Sequence, residues 1–208
     1  SFPIQLEDGV YYCGYNREKS FGANSFFVRH PDGNWLIDSP RYLKQLVEFF
    51  RENGGLSYIF LSHEDDIADS SKYAQQFGAK RIIHRDDSDA VPEAEWIIDG
   101  VDAIRLTPDF TAIPVPGHTP GSAALLYKNR FLFTGDHLWW EPDRQTLESP
   151  RQLVWNHAAL VGSIAKLADY HFEWVLAGHG DRMNLPADEM KAKLQELVQR
   201  RHNVHAIG

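Results

Sequence analysis

Histidine and aspartate side chains follow four short apolar segments of this chain, and each segment is predicted to be a β-strand. The side chains are His63, Asp65 and Asp66 after the first segment, His118 after the second, Asp136 after the third and His179 after the fourth. Loops at strand ends are where a rigid sheet holds functional side chains. Because imidazole and carboxylate groups together suit zinc, iron or manganese, the pattern predicts a metal site.

Four further histidines and three tryptophans are left out of the predicted site. His137 follows Asp136 directly and is expected to point to the opposite side of the chain. Three histidines have no motif around them and are expected to be ordinary surface or interface residues: His84, His157 and His171. Three tryptophans could line an apolar substrate pocket, but buried aromatic packing is favoured for them: Trp139, Trp140 and Trp155.

The elements that must position the site begin with a hairpin. Apolar segments at 25–28 and 35–37 are joined by Pro31-Asp32-Gly33-Asn34, whose residue types favour a tight turn. A helix is expected to follow, with Ser39 as its cap and Pro40 at its first position.

The rest of the chain alternates strands and helices. Strands are predicted at 58–61, 81–84, 103–106, 110–115, 123–127, 130–134 and 174–176. Gly78 is expected to end a short helix, Ser149-Pro150 to open a long one, and 186–201 to form the last helix. Mixed strand order with helices outside indicates a layered α/β architecture.

Composition argues against several functional classes. The 208 residues carry a net charge of −8, and the basic residues are scattered, so neither nucleic acid nor an anionic membrane surface is an expected partner. We expect a small-molecule substrate. The single cysteine, Cys13, excludes an internal disulfide framework and a cysteine-based zinc cluster, and it agrees with a reducing, cytoplasmic compartment.

No apolar segment approaches the roughly 20 residues needed to span a bilayer, so a soluble protein is expected. The chain starts at Ser1 rather than at methionine, which fits either a tag scar or a removed leader. The oligomeric state is left open.

Three motifs resemble successive signatures of the metallo-β-lactamase superfamily, in that family's order. They are Pro-Gly-His-Thr-Pro-Gly-Ser at 116–122, Thr-Gly-Asp at 134–136 and Ala-Gly-His-Gly at 177–180. Gly-Ala-Asn at 22–24 and Leu-Ile-Asp-Ser at 36–39 also resemble the family's opening hairpin. The resemblance implies an α/β fold, a four-layer αββα sandwich, formed by residues 1–208 as a single domain.

The family's H-x-H-x-D-H motif is altered here. The matching positions read His63, Glu64, Asp65, Asp66, Ile67 and Ala68. By resemblance, the first metal site keeps His63, Asp65 and His118. The second site loses two ligands, because Ile67 and Ala68 replace them.

The resemblance therefore implies one divalent metal ion, zinc or iron, with manganese possible. Its expected ligands are His63, His118 and Asp136, with Asp65 as fourth ligand and His179 as a weak or indirect participant. The alternative for Asp65 and Asp66 is capping of the helix that begins near residue 69.

The function implied is a mononuclear metallohydrolase acting on a small ester or thioester. Asp66, or an uncoordinated Asp65, is expected to take a proton from the attacking water. One alternative is a non-haem iron oxygenase of persulfides or related sulfur compounds, because two histidines and one carboxylate form the ligand set of such enzymes. The other alternative is a catalytically inactive binding module, in which the replacement of two metal ligands by Ile67 and Ala68 accompanied the loss of catalysis.

Overall fold

The structure is a computed structural model and describes residues 1–15 and 22–205. The chain divides into two compact units, Ser1–Asp99 and Gly100–Gly208, and each is an α/β unit built around its own sheet. The expected α/β class is confirmed, whereas a single domain over 1–208 stays a prediction. Among the described residues, no helix combines the length and the apolar character needed to cross a membrane.

The first unit contains a seven-stranded sheet whose strands lie in chain order. They are β1 (Ile4–Glu7), β2 (Val10–Tyr12), β3 (Phe26–Val28), β4 (Trp35–Ile37), β5 (Tyr58–Phe60), β6 (Lys80–His84) and β7 (Trp96–Ile98). Strands β1 to β4 pair antiparallel and β4 to β7 pair parallel. The carboxyl ends of β4, β5 and β6 therefore meet at one edge of the sheet.

Two helices complete the first unit: α1 (Lys44–Glu52) and α2 (Ser70–Phe77). Helix α1 buries Leu46, Val47 and Phe50, and the Phe50 ring stacks on Phe27 with centroids 5.2 Å apart. Cys13 belongs to the same apolar core, where burial raises the pKa of its thiol to about 12. That environment agrees with a structural cysteine.

The expected start of α1 at Ser39-Pro40 is wrong, because the helix begins only at Lys44. The Tyr42 amide donates to the Asp69 carboxylate at 2.9 Å, and the Leu43 amide donates to the Tyr73 hydroxyl at 3.3 Å. The Asp69 and Tyr73 side chains come from the region of α2. Their hydrogen bonds hold the segment just before α1 in an extended conformation. The expected end of α2 at Gly78 is confirmed, since this residue is left-handed with φ of 66°.

The described part of the second unit, residues 100–205, contains eight strands. They are β8 (Ile104–Arg105), β9 (Phe110–Pro114), β10 (Ala123–Tyr127), β11 (Phe131–Gly135), β12 (Trp139–Glu141), β13 (Thr146–Glu148), β14 (Trp174–Ala177) and β15 (Met183–Asn184). Six form a sheet in the order β15-β14-β11-β10-β9-β8, and β12 pairs with β13 in a separate hairpin. Strands β9, β11 and β14 run in one direction, so their carboxyl ends share an edge.

Two helices belong to this unit: α3 (His157–Leu167) and α4 (Ala187–His205). The expected helix start at Ser149-Pro150 is wrong. Asn156 caps α3 instead, since its side-chain oxygen accepts from the Ala159 amide at 2.9 Å. The carbonyls of Ser149 and Pro150 accept hydrogen bonds from the Arg201 guanidinium of α4, which holds this segment as a loop.

Candidate functional site

His63 lies just after β5 and is fully buried. Its Nδ1 is 2.9 Å from the Ser62 hydroxyl, which is 2.9 Å from the Asp38 carboxylate. The Ser62 hydroxyl has one proton and donates it in a hydrogen bond to the Asp38 carboxylate. The hydroxyl oxygen therefore accepts a hydrogen bond from the His63 Nδ1–H. The lone pair of this imidazole is therefore on Nε2, the atom available to a cation.

Asp38 is the anchor of this chain of hydrogen bonds and was not singled out from the sequence. It follows β4 with a left-handed φ of 58°, and its amide donates to the Phe60 carbonyl at 2.8 Å. Its carboxylate also accepts from the Ser62 amide at 2.8 Å. Strained backbone at a buried aspartate beside a predicted ligand is typical of functional sites. The available sequence signal was its place directly after an apolar strand.

Asp65 and Asp66 lie in a short 3-10 helix, Glu64–Asp66, that follows His63. The His63 Nε2 is 3.8 Å from an oxygen of Asp65 and 3.9 Å from an oxygen of Asp66. The Asp66 side chain is buried, whereas the Asp65 side chain is half exposed. The first unit thus brings together the three site residues predicted from it, and both carboxylates stay candidate ligands.

The second unit brings together the other three predicted residues. Asp136 and His179 follow the parallel strands β11 and β14, and the Gly178 amide donates to the Gly135 carbonyl at 2.7 Å. The His179 Nδ1 forms a short hydrogen bond to one Asp136 oxygen. The other Asp136 oxygen is 3.4 Å from Nε2 of His118. Asp136 is therefore the residue that connects the two histidines.

Close backbone packing makes this arrangement possible. A Cβ atom on Gly178 would lie 3.1 Å from the backbone of Gly135. Since that contact is tighter than ordinary van der Waals packing, glycine at 178 lets the turns after β11 and β14 approach each other. The approach places Asp136 within reach of His179.

His118 is held by the loop that precedes α3. Its Nδ1 is 2.7 Å from the Leu153 carbonyl, which can only accept a hydrogen bond. The proton is therefore on Nδ1 and the lone pair on Nε2. The backbone reinforces the contact, because the Trp155 amide donates to the His118 carbonyl at 3.1 Å.

These donor atoms fit a divalent cation. Two ligands bound at 2.0 to 2.1 Å in a tetrahedral site lie about 3.4 Å apart, which matches the 3.4 Å between His118 Nε2 and Asp136. Ligating histidines donate their other ring N–H to a protein oxygen, as His63 and His118 do here. The chain thus contains candidate metal-binding residues in both units.

Among the remaining histidines, His84 is the one whose burial differs from the prediction. His84 is buried rather than on the surface, and its Nδ1 accepts from the Asp86 amide at 3.2 Å. His157 and His171 are exposed, as expected. His137 is fully buried, and among the described residues neither ring nitrogen has a hydrogen-bond partner. Burial, and then the charges of His118 and Lys166, lower the His137 pKa to about 3, so this ring is neutral.

A cavity of about 390 Å³ in the second unit is lined by His118, Asp136 and His179. Its other walls come from the β12–β13 hairpin and from residues 149–153. Trp139 contributes one wall, which corrects its expected burial, and its ring packs where a Cβ atom on Gly180 would lie. Trp140 is buried as expected, but Trp155 is exposed.

Comparison with known sequences finds a family and several relatives. The family model described as "Metallo-beta-lactamase superfamily" matches residues 5–200. "Uncharacterized protein YmaE" of Bacillus subtilis (strain 168) is 27% identical over 146 residues, which are 66% of this chain and 53% of that protein. A hydroxyacylglutathione hydrolase of Pelagibacter ubique (strain HTCC1062) is 29% identical over 110 residues, 50% of this chain and 45% of the relative. The chain thus spans about half the length of these two relatives.

Comparison with solved structures finds the same fold. The metallo-β-lactamase FIM-1 from Pseudomonas aeruginosa in its mono-zinc form has a TM-score of 0.67 at 16% identity, covering 94% of this chain and 93% of the other. TTHA1623 in a di-iron-bound form has a TM-score of 0.65 at 20% identity, covering 93% and 98%. At these identities the likeness concerns the fold, and the fold expected from the motifs is confirmed.

Proposed function

From the premise that this chain belongs to the metallo-β-lactamase superfamily, we propose that it is a metal-dependent hydrolase with a mononuclear site, acting on a small ester or thioester. The observation that carries the proposal is the His118–Asp136–His179 group in the wall of a cavity of about 390 Å³. The ring nitrogen of His118 that faces Asp136 is the unprotonated one. This site is built to bind a cation next to space for a small molecule.

The proposed ligands of the ion are His63, His118 and Asp136, with Asp65 as the fourth. His179 assists by donating its Nδ1–H to Asp136. Support comes from the matching protonation of His63 and His118, each of which donates from Nδ1. Ile67 and Ala68 offer no side-chain ligand, which favours one ion over two. A bound zinc or iron ion, or manganese, would supply Lewis acidity toward a carbonyl group.

Asp66 is the proposed general base. Its carboxylate is buried and lies 3.9 Å from the His63 Nε2, so it can take a proton from a water molecule that attacks near that atom. The backbone around it is fixed, because the Glu64 amide donates to the Asp87 carboxylate at 3.0 Å and the Ser39 amide to the Asp66 carbonyl at 3.3 Å.

The ester or thioester class is supported by the relative named hydroxyacylglutathione hydrolase, which matches half of this chain. An iron-dependent sulfur oxygenase is the second candidate, because two histidines and one carboxylate suit iron and a solved structure of the same fold is di-iron-bound. Hydrolysis of p-nitrophenyl acetate or an S-acyl thioester by the purified protein supports the first candidate. Oxygen consumption with a persulfide by iron-loaded protein supports the second.

Elemental analysis tests the ligand assignment. We expect about one equivalent of a transition metal in the purified protein and loss of nearly all of it in His63→Ala and Asp136→Ala, because each substitution removes a ligand. His171→Ala is the control, since this exposed histidine is not a predicted ligand and its Nδ1 lies 2.9 Å from the Asn129 carbonyl.

Full metal content in either ligand variant would contradict the assignment. Absence of metal from the unmodified protein, together with no uptake of zinc, iron or manganese on reconstitution, would instead favour the binding-module alternative. Circular dichroism of each variant shows that it has folded.

A further inference from the structure

Four arginines surround one buried carboxylate beside the cavity. Glu148, the last residue of β13, is 3% exposed. Its oxygens lie 3.0 Å from Arg144, 3.6 Å from Arg200, 3.9 Å from Arg151 and 4.0 Å from Arg201. We call these five residues the Glu148 cluster. A buried carboxylate requires compensation, but one cation would suffice.

The two arginines of α4 have structural partners of their own. Arg200 donates to the Leu147 carbonyl at 2.7 Å, and Arg201 donates to the Pro150 carbonyl at 3.1 Å. Their guanidinium groups therefore hold the β12–β13 hairpin and the following loop while they compensate Glu148. Arg200 and Arg201 thus place two positive charges next to the buried carboxylate, in addition to those of Arg144 and Arg151.

Arg144 and Arg151 are placed differently. Their side chains are 56% and 58% exposed, and both line the cavity that contains His118 and Asp136. A guanidinium carries five N–H donors in a planar fork that matches a carboxylate. The two oxygens of Glu148 cannot bind all the N–H donors of four guanidinium groups. Arg144 and Arg151 therefore keep N–H donors that can bind a molecule in the cavity.

The local charge balance favours an anion. The four guanidinium groups and the Glu148 carboxylate together carry a net charge of plus three. Glu141 also lines the cavity, and including its carboxylate reduces the net charge to plus two. Asp136 is a further carboxylate in the lining, but it lies against His118 and His179. Burial lowers the Arg201 pKa and the Arg151 charge lowers it further, while Glu148 raises it.

Apolar side chains complete the lining. Trp139 and Leu153 both line the cavity, and Leu153, which is 86% exposed, also supplies the carbonyl that fixes His118. Pro150 adds a third apolar surface. A molecule with an apolar body and an acidic end matches both parts of this lining.

We propose that Arg144 and Arg151 bind a carboxylate on the substrate, whose apolar part contacts Trp139 and Leu153. The substrate class is then an ester or thioester that also carries a free carboxylate. This assignment of class rests on the proposed function, whereas carboxylate binding by the two arginines can be measured without catalysis.

The test compares a matched acid and amide, 3-phenylpropionate and 3-phenylpropionamide, by isothermal titration calorimetry on the purified protein. Hydrogen bonds to charged groups contribute about 1.5 to 3 kcal/mol, so we expect the acid to bind at least about tenfold more tightly than the amide. Arg144→Gln combined with Arg151→Gln should remove that difference and leave amide binding unchanged. Arg105→Gln is the control, because this exposed arginine donates to the Pro108 carbonyl outside the cavity.

Equal binding of acid and amide to the unmodified protein would overturn the proposal. So would retention of the acid preference in the double variant. His63→Ala separates arginine binding from coordination of the acid by a metal, since this residue is a proposed ligand that does not line the cavity. The acid preference should persist there, and its loss would overturn the proposal. Absence of esterase activity with an intact acid preference would contradict the proposed function alone.

Discussion

The position of the ring proton in His63 and in His118 is set by a partner that is not itself a proposed ligand. For His63 the partner is Ser62, which Asp38 holds in turn, and for His118 it is a backbone carbonyl. Removing such a partner lets the imidazole rotate and changes which nitrogen carries the proton. The affinity of the site for a cation should therefore depend on residues that never touch the ion.

Ser62→Ala tests this dependence. We expect metal affinity to fall about 10- to 100-fold, because partners of ligating histidines contribute on that scale. The free energy of unfolding should fall by about 1 to 3 kcal/mol, since the buried Asp38 carboxylate loses the hydrogen bond from the Ser62 hydroxyl. Competition with a chromogenic chelator measures the affinity, and urea unfolding measures the stability.

Ser39→Ala is the matched control, because this buried hydroxyl donates to the adjacent Pro40 carbonyl and not to a candidate ligand. Its metal affinity should equal that of the unmodified protein. An equal loss of affinity in both variants would show that the effect of Ser62 is general destabilisation.

The identities of the candidate ligands could be predicted from the sequence, but their partners could not. Motifs such as Ala-Gly-His-Gly at 177–180 consist of consecutive residues, so their candidate ligands can be identified directly in the sequence. The contact between His118 and the Leu153 carbonyl joins residues 35 positions apart and involves no distinctive side chain. Arg144 and Arg151 were likewise missed, because their role depends on a glutamate that only the hairpin buries.

At the scale of elements, most of the central strands could be predicted from their apolar segments, whereas six strands of the described residues were missed: β1, β2, β7, β12, β13 and β15. Strand β10 was predicted with the bounds it has, and the Gly78 stop of α2 is confirmed by its left-handed backbone. The helix starts expected near residue 69 and at 186 agree with α2 and α4. The starts expected at Ser39-Pro40 and Ser149-Pro150 were wrong for one reason, which is that side chains from other elements bind the backbone there. Tyr73 and Asp69 do so before α1, and Arg201 does so before α3.

The true cap of α3 makes a prediction at this scale. Asn156→Ala should lower the free energy of unfolding by about 1 kcal/mol, because the Ala159 amide loses its acceptor. Asn156→Asp keeps an acceptor and should be close to neutral. Urea denaturation of the three proteins measures the difference, and an alanine variant as stable as the aspartate variant would contradict the capping role.

For the molecule as a whole, the net charge is negative, but the charge around Glu148 is locally positive. The chain carries −8 overall, yet the Glu148 cluster holds four cations around one carboxylate. Composition therefore indicated the class of partner only coarsely. It supported a small molecule, but it gave no sign that the cavity favours an acidic one.

Metal binding should also be visible in the stability of the whole protein. A ligand at 100 times its dissociation constant stabilises the folded state by about 2.7 kcal/mol, which corresponds to roughly 5 to 10 °C in Tm for a chain of this size. Removal of the ion with a chelator should lower Tm by that amount, and zinc should restore it. Differential scanning calorimetry measures the change.

His63→Ala should show no response to zinc, because it lacks a proposed ligand. Magnesium is a second control, since it prefers oxygen ligands and should not restore the unmodified protein. A Tm that ignores both chelator and zinc would contradict a metal site in the folded protein.

The hydrogen bonds from Arg200 and Arg201 to the carbonyls of residues 147–150 affect how the protein is made. These partners are about fifty positions apart, and the arginines are synthesised after the carbonyls that they bind. While the chain emerges from the ribosome, the hairpin and loop are present before the guanidinium groups that fasten them. The cavity can reach its final form only after translation has passed Arg201.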